Sequence, residues 1–313
     1  MNKKIIFSVF LFAALIKTNA QTTGVSVKLS PLAKEPAWST VNDVIGYDDS
    51  KFYLQRTGKS GYMIESYDNA TLAMKLSKVV APEVNGDDVY PNANYFLGGK
   101  ILLLFTKNSK KEHTSTLYSQ WVDNSTLALQ GSPKQLASMP YQNMFHSGSY
   151  GFRISPDKNK LAVIKMPYTE KDANQNYEVT VFDETLGSLW TKNFTLPYAD
   201  KLFSIEKFSV DNAGNFYVLG ELFKDKPVSK KDGLPNYNYH LISYRNNGSE
   251  IKDYTLSLND KFITDITFKI AGDGKIICGG FYSAKGSFSI IGTCFFSIDP
   301  ETEQIITQGS KEF

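Results

Sequence analysis

Arginine is scarce in this 313-residue chain: Arg56, Arg153 and Arg245 are the whole complement, beside two cysteines and three histidines. Lysine carries nearly all the basic charge, and 34 Lys+Arg stand against 32 Asp+Glu. A near-neutral, Arg-poor surface lacks the electrostatic footprint that nucleic-acid binding needs. Two cysteines cannot form a disulfide framework, so the core must come from apolar burial, for which a chain of this length suffices. Long apolar runs are missing too. The longest, Ile5–Ile16, is shorter than the roughly 20 residues that span a bilayer. It follows Lys3 and Lys4 and precedes Thr18-Asn19-Ala20, small at the −3 and −1 positions before Gln21. Residues 1–20 therefore read as a signal peptide. No cysteine follows that cleavage point, which disfavours a lipid anchor. Losing Lys3, Lys4 and Lys17 but no acid moves the net charge from +2 to about −1. The mature chain is expected in the periplasm, at the cell surface or outside the cell, with no transmembrane segment.

What is present is a repeat. Five times, a short apolar segment runs into a Gly/Asp/Asn turn and then a second β-rich run. The copies are Val44–Leu54, Tyr95–Phe105, Phe152–Ile164, Phe208–Leu219 and Phe268–Cys278. A second motif recurs in phase with the first, a strand end followed by a polar turn. It reads Ser66–Leu72, Trp121–Leu127, Val181–Gly187, Ser243–Gly248 and Ser297–Thr302. An Asp carboxylate can accept backbone N–H bonds inside such turns, and Asn and Gly tolerate positive φ, which is hairpin chemistry. Two hairpins locked in phase make four strands per unit. Periods near 50 residues, rich in Val, Ile, Phe and Tyr, predict an all-β chain of radially repeated antiparallel blades, a β-propeller with five blades visible. An irregular β-sandwich would explain the strands but not the two motifs in register. The expected organisation is a signal peptide at 1–20, an N-terminal segment at 21–43 and blades over 44–313. Gly24–Ser30 resembles a fourth strand and is expected either to clip onto an open edge of blade five or to belong to a longer array.

Leu196–Phe203, Pro235–His240, Phe262–Phe268 and Cys278–Ser283 together resemble an uncharacterised family of secreted, β-propeller-like proteins from Bacteroidota-type bacteria. The resemblance covers most of the mature chain and is strongest over 150–313. It implies an exported propeller whose relatives continue past the point where this chain stops. It supplies no catalytic residue.

The sequence carries little chemistry. No HExxH, CxxC, EF-hand series or Gly-x-Ser-x-Gly occurs, and His113, His146 and His240 are widely separated, so no metal or other cofactor is expected. The paired Asp residues fall at turns. A glycoside hydrolase would need two or three carboxylates at the central opening, and the loops that could supply them hold Glu83, Asp87, Asp88, Glu170, Asp172 and Asp200. Ser209–Gly214 resembles a sialidase Asp-box, but its glycine comes one position late. Cys278 and Cys294 flank a hairpin with its midpoint at residue 286, so a symmetric hairpin would oppose them at disulfide distance, as a staple. The alternative is two buried thiols.

In a propeller the loops joining strands two and three, and those joining one blade to the next, emerge on one face. Here they carry Tyr90, Asn92, Tyr141, Asn143, Phe145, His146, Tyr168, Tyr198, Asn236 and Tyr237. Tyrosine joins a broad apolar ring to a polar tip, which suits protein interfaces and sugar stacking. The expectation is a non-catalytic scaffold for protein–protein interaction through Tyr90, Tyr141, His146, Tyr168, Tyr198 and Tyr237, its partner an envelope protein, with a glycan as the other partner considered. A carbohydrate-binding module or a glycoside hydrolase is the alternative.

Overall fold

The computed structural model describes residues 27–29, 38–59, 61–89, 91–143, 145–228, 230–231, 234–258, 261–284, 289–299, 302 and 304–313. The chain divides into two units, 1–34 and 35–313. Residues 1–20 lie outside the described residues, as does Gly24–Ser30 apart from Val27, Lys28 and Leu29, which belong to no strand.

The second unit is five antiparallel sheets, each a meander whose strands pair in chain order. Blade one is Thr40–Tyr47, Lys51–Gly58, Gly61–Asp68 and Met74–Val79. Blade two is Pro91–Leu97, Lys100–Ser109, Thr114–Val122 and the long Leu129–Asn143, onto which His146–Ser147 adds a short fifth strand. Blade three is Ser149–Ile154, Lys160–Met166, Asn174–Asp183 and Ser188–Ala199. Blade four is Phe203–Val210, Phe216–Phe223, Tyr237–Arg245 and Glu250–Leu256, and blade five is Lys261–Ile270, Ile276–Ala284, Ile290–Asp299 and Gln304–Glu312. Both sequence motifs sit where the repeat predicts, at the hairpins joining strands one and two and strands three and four.

The turns show why. Asp68 Oδ1 accepts the N–H groups of Ala70 and Thr71 and the Thr71 hydroxyl. Asp123 does the same with Ser125 and Thr126, and Asp183 with Thr185 and Gly187. These bonds pull the Asp68 carboxyl down to about 2, the backbone N–H of Thr71 contributing most. Each turn then carries a leucine with positive φ, at Leu72, Leu127 and Leu186. Asp48 and Asp211 play the same part in the first hairpins of blades one and four, each also accepting a tyrosine hydroxyl, from Tyr53 and Tyr217.

Strand residues alternate between faces, so a sheet buried on both sides reads as a continuous apolar run. Ile101-Leu-Leu-Leu-Phe105 is such a run. Ile101, Leu103 and Phe105 pack toward blade one with Tyr53 and Ile64, while Leu102 and Leu104 pack toward blade three with Leu161 and Val163. Ala162 and Ile164 meet Phe216 and Val218 of blade four, whose Tyr217 and Leu219 meet Phe268 and Cys278 of blade five. Four cores thus join the blades in series, and the first strands of consecutive blades lie side by side along the inner edge. That is propeller packing, sheet on sheet in chain order. A sandwich would share one core between two sheets. Among the described residues no core joins blade five to blade one. The far face of blade five exposes Ile277, Phe281, Ile290 and Phe295.

Candidate functional site

A cleft of about 540 Å³ opens between blades two and three. Its floor is the first strand of blade three, Ser149–Arg153, and its walls carry Asn92 and Tyr95 from the first strand of blade two, with Thr106, Asn108 and Ser115 from the next two strands. Met139, Ser147 and, from blade four, Phe208 complete it. Local sequence explains the opening. The first strand of blade two begins with Pro91, which has no N–H to donate, and the pairing then skips Asn92, since Pro91 faces Phe105 and Ala93 faces Leu104. Such a bulge bends the strand and re-aims a side chain. The first strand of blade three, by contrast, pairs without interruption. The two strands therefore diverge at this end, which is where the blade-to-blade connection Asn143–Ser149 passes.

Two tyrosines brace the cleft reciprocally. Tyr95 Oη of blade two donates to the Phe152 carbonyl of blade three at 3.0 Å. Tyr150 Oη of blade three donates to the Ser115 carbonyl of blade two at 2.8 Å. Burial raises both phenols above their ordinary value, so both remain donors at neutral pH. Arg153 stands exposed with its guanidinium over the Phe208 ring, 4.8 Å from the centroid, and one Nη donating to the Phe152 carbonyl at 2.8 Å. No carboxylate lines the cleft.

His146 and Tyr168, two of the predicted residues, meet edge to face at the rim with their ring centroids 4.9 Å apart. Asn143 holds that loop, its Oδ1 accepting the N–H groups of Phe145 and His146. Phe145 stands 80 % exposed beside them. Tyr90 lies outside the described residues. Tyr198 is a strut. Its hydroxyl donates to Asp253 Oδ2 at 2.8 Å, His240 Nδ1 bonds the other oxygen at 2.8 Å, and its ring stacks on Phe203. Burial first, and Asp253 second, push its phenol up to about 12.

Two tyrosines expected on the open face are interior instead. Tyr237 is buried against Phe262, Tyr239 and Phe223, and Tyr141 is buried with its N–H on the His113 carbonyl. The strands run further than the loop reading allowed, one to Asn143 and another from Tyr237, so alternation carries these side chains inward. Asn236 is likewise buried, donating to the Lys226 carbonyl. The residues that sequence reading missed, Tyr95, Asn108, Tyr150 and Arg153, all lie in strands. The scarcity of arginine was the signal that singled out Arg153.

Two of the loop carboxylates are taken up by lysines. Asp87 pairs with Lys107 at 2.6 Å, and Asp172 pairs with Lys201. Burial alone raises the Asp200 carboxyl, and a second raised acid lies elsewhere. Glu221 is pushed up to about 7, by burial first and then by the charge of Glu206. Glu206 is the bulged residue of its strand, between Ile205 facing Gly220 and Lys207 facing Leu219. Glutamate in an unfolded chain releases its proton near 4.5, so the folded chain holds more protons between about 4.5 and 7, and stability falls as pH rises through that window. Glu221 is only half-buried, which limits the loss to about 1 kcal/mol. Urea titrations of Glu221→Gln should match the wild type at pH 4.5 and exceed it by about that amount at pH 8. Equal stabilities at pH 8 would mean that Glu221 ionises as a solvated acid.

The cysteines are free thiols. Cys278 faces Phe296 and Cys294 faces Gly280, so the hairpin is offset from the symmetric pairing and the two side chains sit diagonally on one buried face. The pairing shifts by one residue near the hairpin tip, between Tyr282 and Ser283, and at Cys278 the partner lies two residues past Cys294. Burial pushes the thiols up to about 12 for Cys278 and about 11 for Cys294, where they act as small apolar side chains.

Among the described residues, no three His, Cys, Asp or Glu side chains are grouped to hold a metal ion, and no helix is long and apolar enough to cross a membrane. No family model and no curated protein matches the chain. Among solved structures it is similar to the Dos1 propeller, at 14% identity over 79% of this chain and 66% of that one, with a TM-score of 0.42. The chain thus spans just under two thirds of that structure. It is also similar to an α-L-arabinanase of Penicillium chrysogenum complexed with arabinobiose, at 11% identity over 88% and 98% of the two chains (TM-score 0.46). An endo-arabinase of Bacteroides thetaiotaomicron aligns at 12% identity over 87% and 94% (TM-score 0.34). No substrate or partner is carried over from these. The fold rests on the meanders and the serial cores described above.

Proposed function

We propose that this chain is an exported, non-catalytic propeller that binds a saccharide of the cell envelope in the cleft between blades two and three. The observation that carries the reading is the cleft's lining. Tyr95 and Tyr150 supply aromatic surface, Asn92, Asn108, Thr106 and Ser149 supply amide and hydroxyl groups, and no carboxylate is among them. Aromatic walls with a few convergent polar groups suit a small polar ligand, and the volume falls in the ordinary range for such sites. Glycoside hydrolysis needs an acid and a second carboxylate flanking the bond, which this lining does not provide. Export rests on residues 1–20 read as a signal peptide and on the resemblance to secreted Bacteroidota-type proteins.

Exposed Phe145 beside the His146–Tyr168 pair favours a second reading, a protein partner bound across the same face. One experiment separates them. The purified protein is applied to an array of envelope-type oligosaccharides alongside Ser149→Trp, which fills the cleft, and Phe145→Ala, which trims the rim. Retention lost in S149W and kept in F145A is the expected result. Absence of saccharide retention, with capture of one envelope protein that F145A abolishes, would transfer the function to the rim.

A further inference from the structure

Arg153 distinguishes this cleft from a neutral sugar site. Arg56 is spent in a buried ion pair with Glu65 at 2.9 Å. Arg153, in contrast, stands at the cleft with no carboxylate among the described residues within ion-pair distance; one Nη donates to the Phe152 carbonyl, and the Tyr95 hydroxyl is also within reach of the guanidinium. The Phe208 ring, its centroid 4.8 Å from the guanidinium carbon, attracts the cation without using its N–H donors. The planar fork of a guanidinium matches two oxygens of one carboxylate, a geometry that lysine cannot reproduce. The surroundings add positive potential. Lys207, on the next first strand, is depressed below the usual amine by burial and then by the charge of Arg153.

We propose that the cleft is selective for a carboxylate-bearing saccharide of the uronic-acid type, with Arg153 gripping the carboxylate and Asn92, Asn108, Tyr95 and Tyr150 meeting the ring. This rests on the saccharide reading above and narrows it to a substrate class. Ring hydroxyls need partners that both donate and accept, which amides and hydroxyls supply. The carboxylate needs a cation free of internal competition, and the absence of an acid from the lining leaves Arg153 in that state.

The test is calorimetric titration of the whole protein with three probes: a galacturonic acid trimer, the same trimer with its carboxyls methyl-esterified, and a neutral galactose trimer. The acid should bind saturably and at least about tenfold more tightly than either other probe. Arg153→Gln should weaken acid binding by about ten- to hundredfold, with Arg153→Lys in between, and should leave the weaker neutral binding unchanged. Because Arg153 is exposed, R153Q should unfold at the wild-type midpoint, and the ester comparison on the unmutated protein reads the same contact without any variant. Equal affinity for acid, ester and neutral trimers would overturn the carboxylate proposal and leave the saccharide reading standing. No binding of any trimer would overturn both.

Discussion

Glu65→Ala is expected to cost about 3–5 kcal/mol of stability, although residue 65 belongs to no part of the cleft. Arg56 Nε donates to Glu65 Oε1 at 2.9 Å, and the two residues are 5 % and 3 % exposed. The pair lies on adjacent strands of blade one, where Arg56 faces Met63 and Leu54 faces Glu65. Its surroundings complete it: Tyr67 Oη donates to Glu65 Oε2 at 2.8 Å, and Arg56 Nη1 donates to Ser39 Oγ at 3.1 Å. Truncating the acid leaves a guanidinium, which cannot be deprotonated, out of water and without its counter-charge. Replacing both partners by apolar side chains of similar volume, Arg56→Met with Glu65→Leu, removes the desolvation cost together with the attraction and should return stability to within about 1 kcal/mol of wild type. Equilibrium urea unfolding of the two single variants and the double variant gives the coupling directly. A cost below about 1 kcal/mol for E65A would mean that the guanidinium rehydrates when the acid is gone.

The second large effect concerns the cores that hold the blades in series. Phe216 is completely buried between blades three and four, with Phe208 and Tyr244 rings at 5.7 and 6.3 Å between centroids. Phe216→Ala should cost about 3–5 kcal/mol, the transfer of a buried ring plus the cavity it leaves. For a domain of this size that lowers the melting temperature by about 10 °C. Phe295 makes the comparison. It lies on the outward face of blade five and is 47 % exposed. Phe295→Ala should change stability by less than about 0.5 kcal/mol, since little area returns to water. Thermal unfolding followed by circular dichroism checks both. A large loss for F295A would show that something covers the far face of blade five in solution, a further blade or a second copy. A small loss for F216A would dissolve the argument that the blades are joined by sealed cores.

Blade one and blade five differ from the three between them in one respect that these variants exploit. Each interior blade buries both faces, and its second strand is an unbroken apolar run, as in Leu161–Ile164 and Phe216–Leu219. Blade five keeps that pattern in Ile276-Ile277-Cys278 even though only Ile276 and Cys278 are covered. The composition of an interior strand thus persists at a face that the described residues leave open.

The sequence by itself determined the fold of this protein and the chemistry of its turns. Two motifs in phase, an Asp in each second-motif turn of the first three blades and apolar runs of five or so residues suffice for five four-stranded meanders, because hairpin pairing and side-chain alternation are local properties of the chain. The same text holds no HExxH, CxxC or EF-hand motif. Of the residues it singled out, Asn92 lines the cleft, and His146, which packs on Tyr168, is the chain neighbour of the lining residue Ser147.

Tertiary structure alone decided which tyrosines face out. Tyr237 and Tyr141 read as loop residues until strand ends are known to one position, and a single position reverses the face a side chain occupies. It decided the cysteines as well, because the register of the hairpin is off-centre and sets Cys278 against Phe296 rather than Cys294. The cleft belongs to the same class. Its groups come from all five strands of blade two, the first strand of blade three and Phe208 of blade four, positions more than a hundred residues apart at the extremes that only sheet-on-sheet packing brings together. Arg153 has an ordinary place in its own strand. What makes it a candidate anchor is the Phe208 ring beneath it and the absence of an acid around it, and both are properties of neighbouring blades.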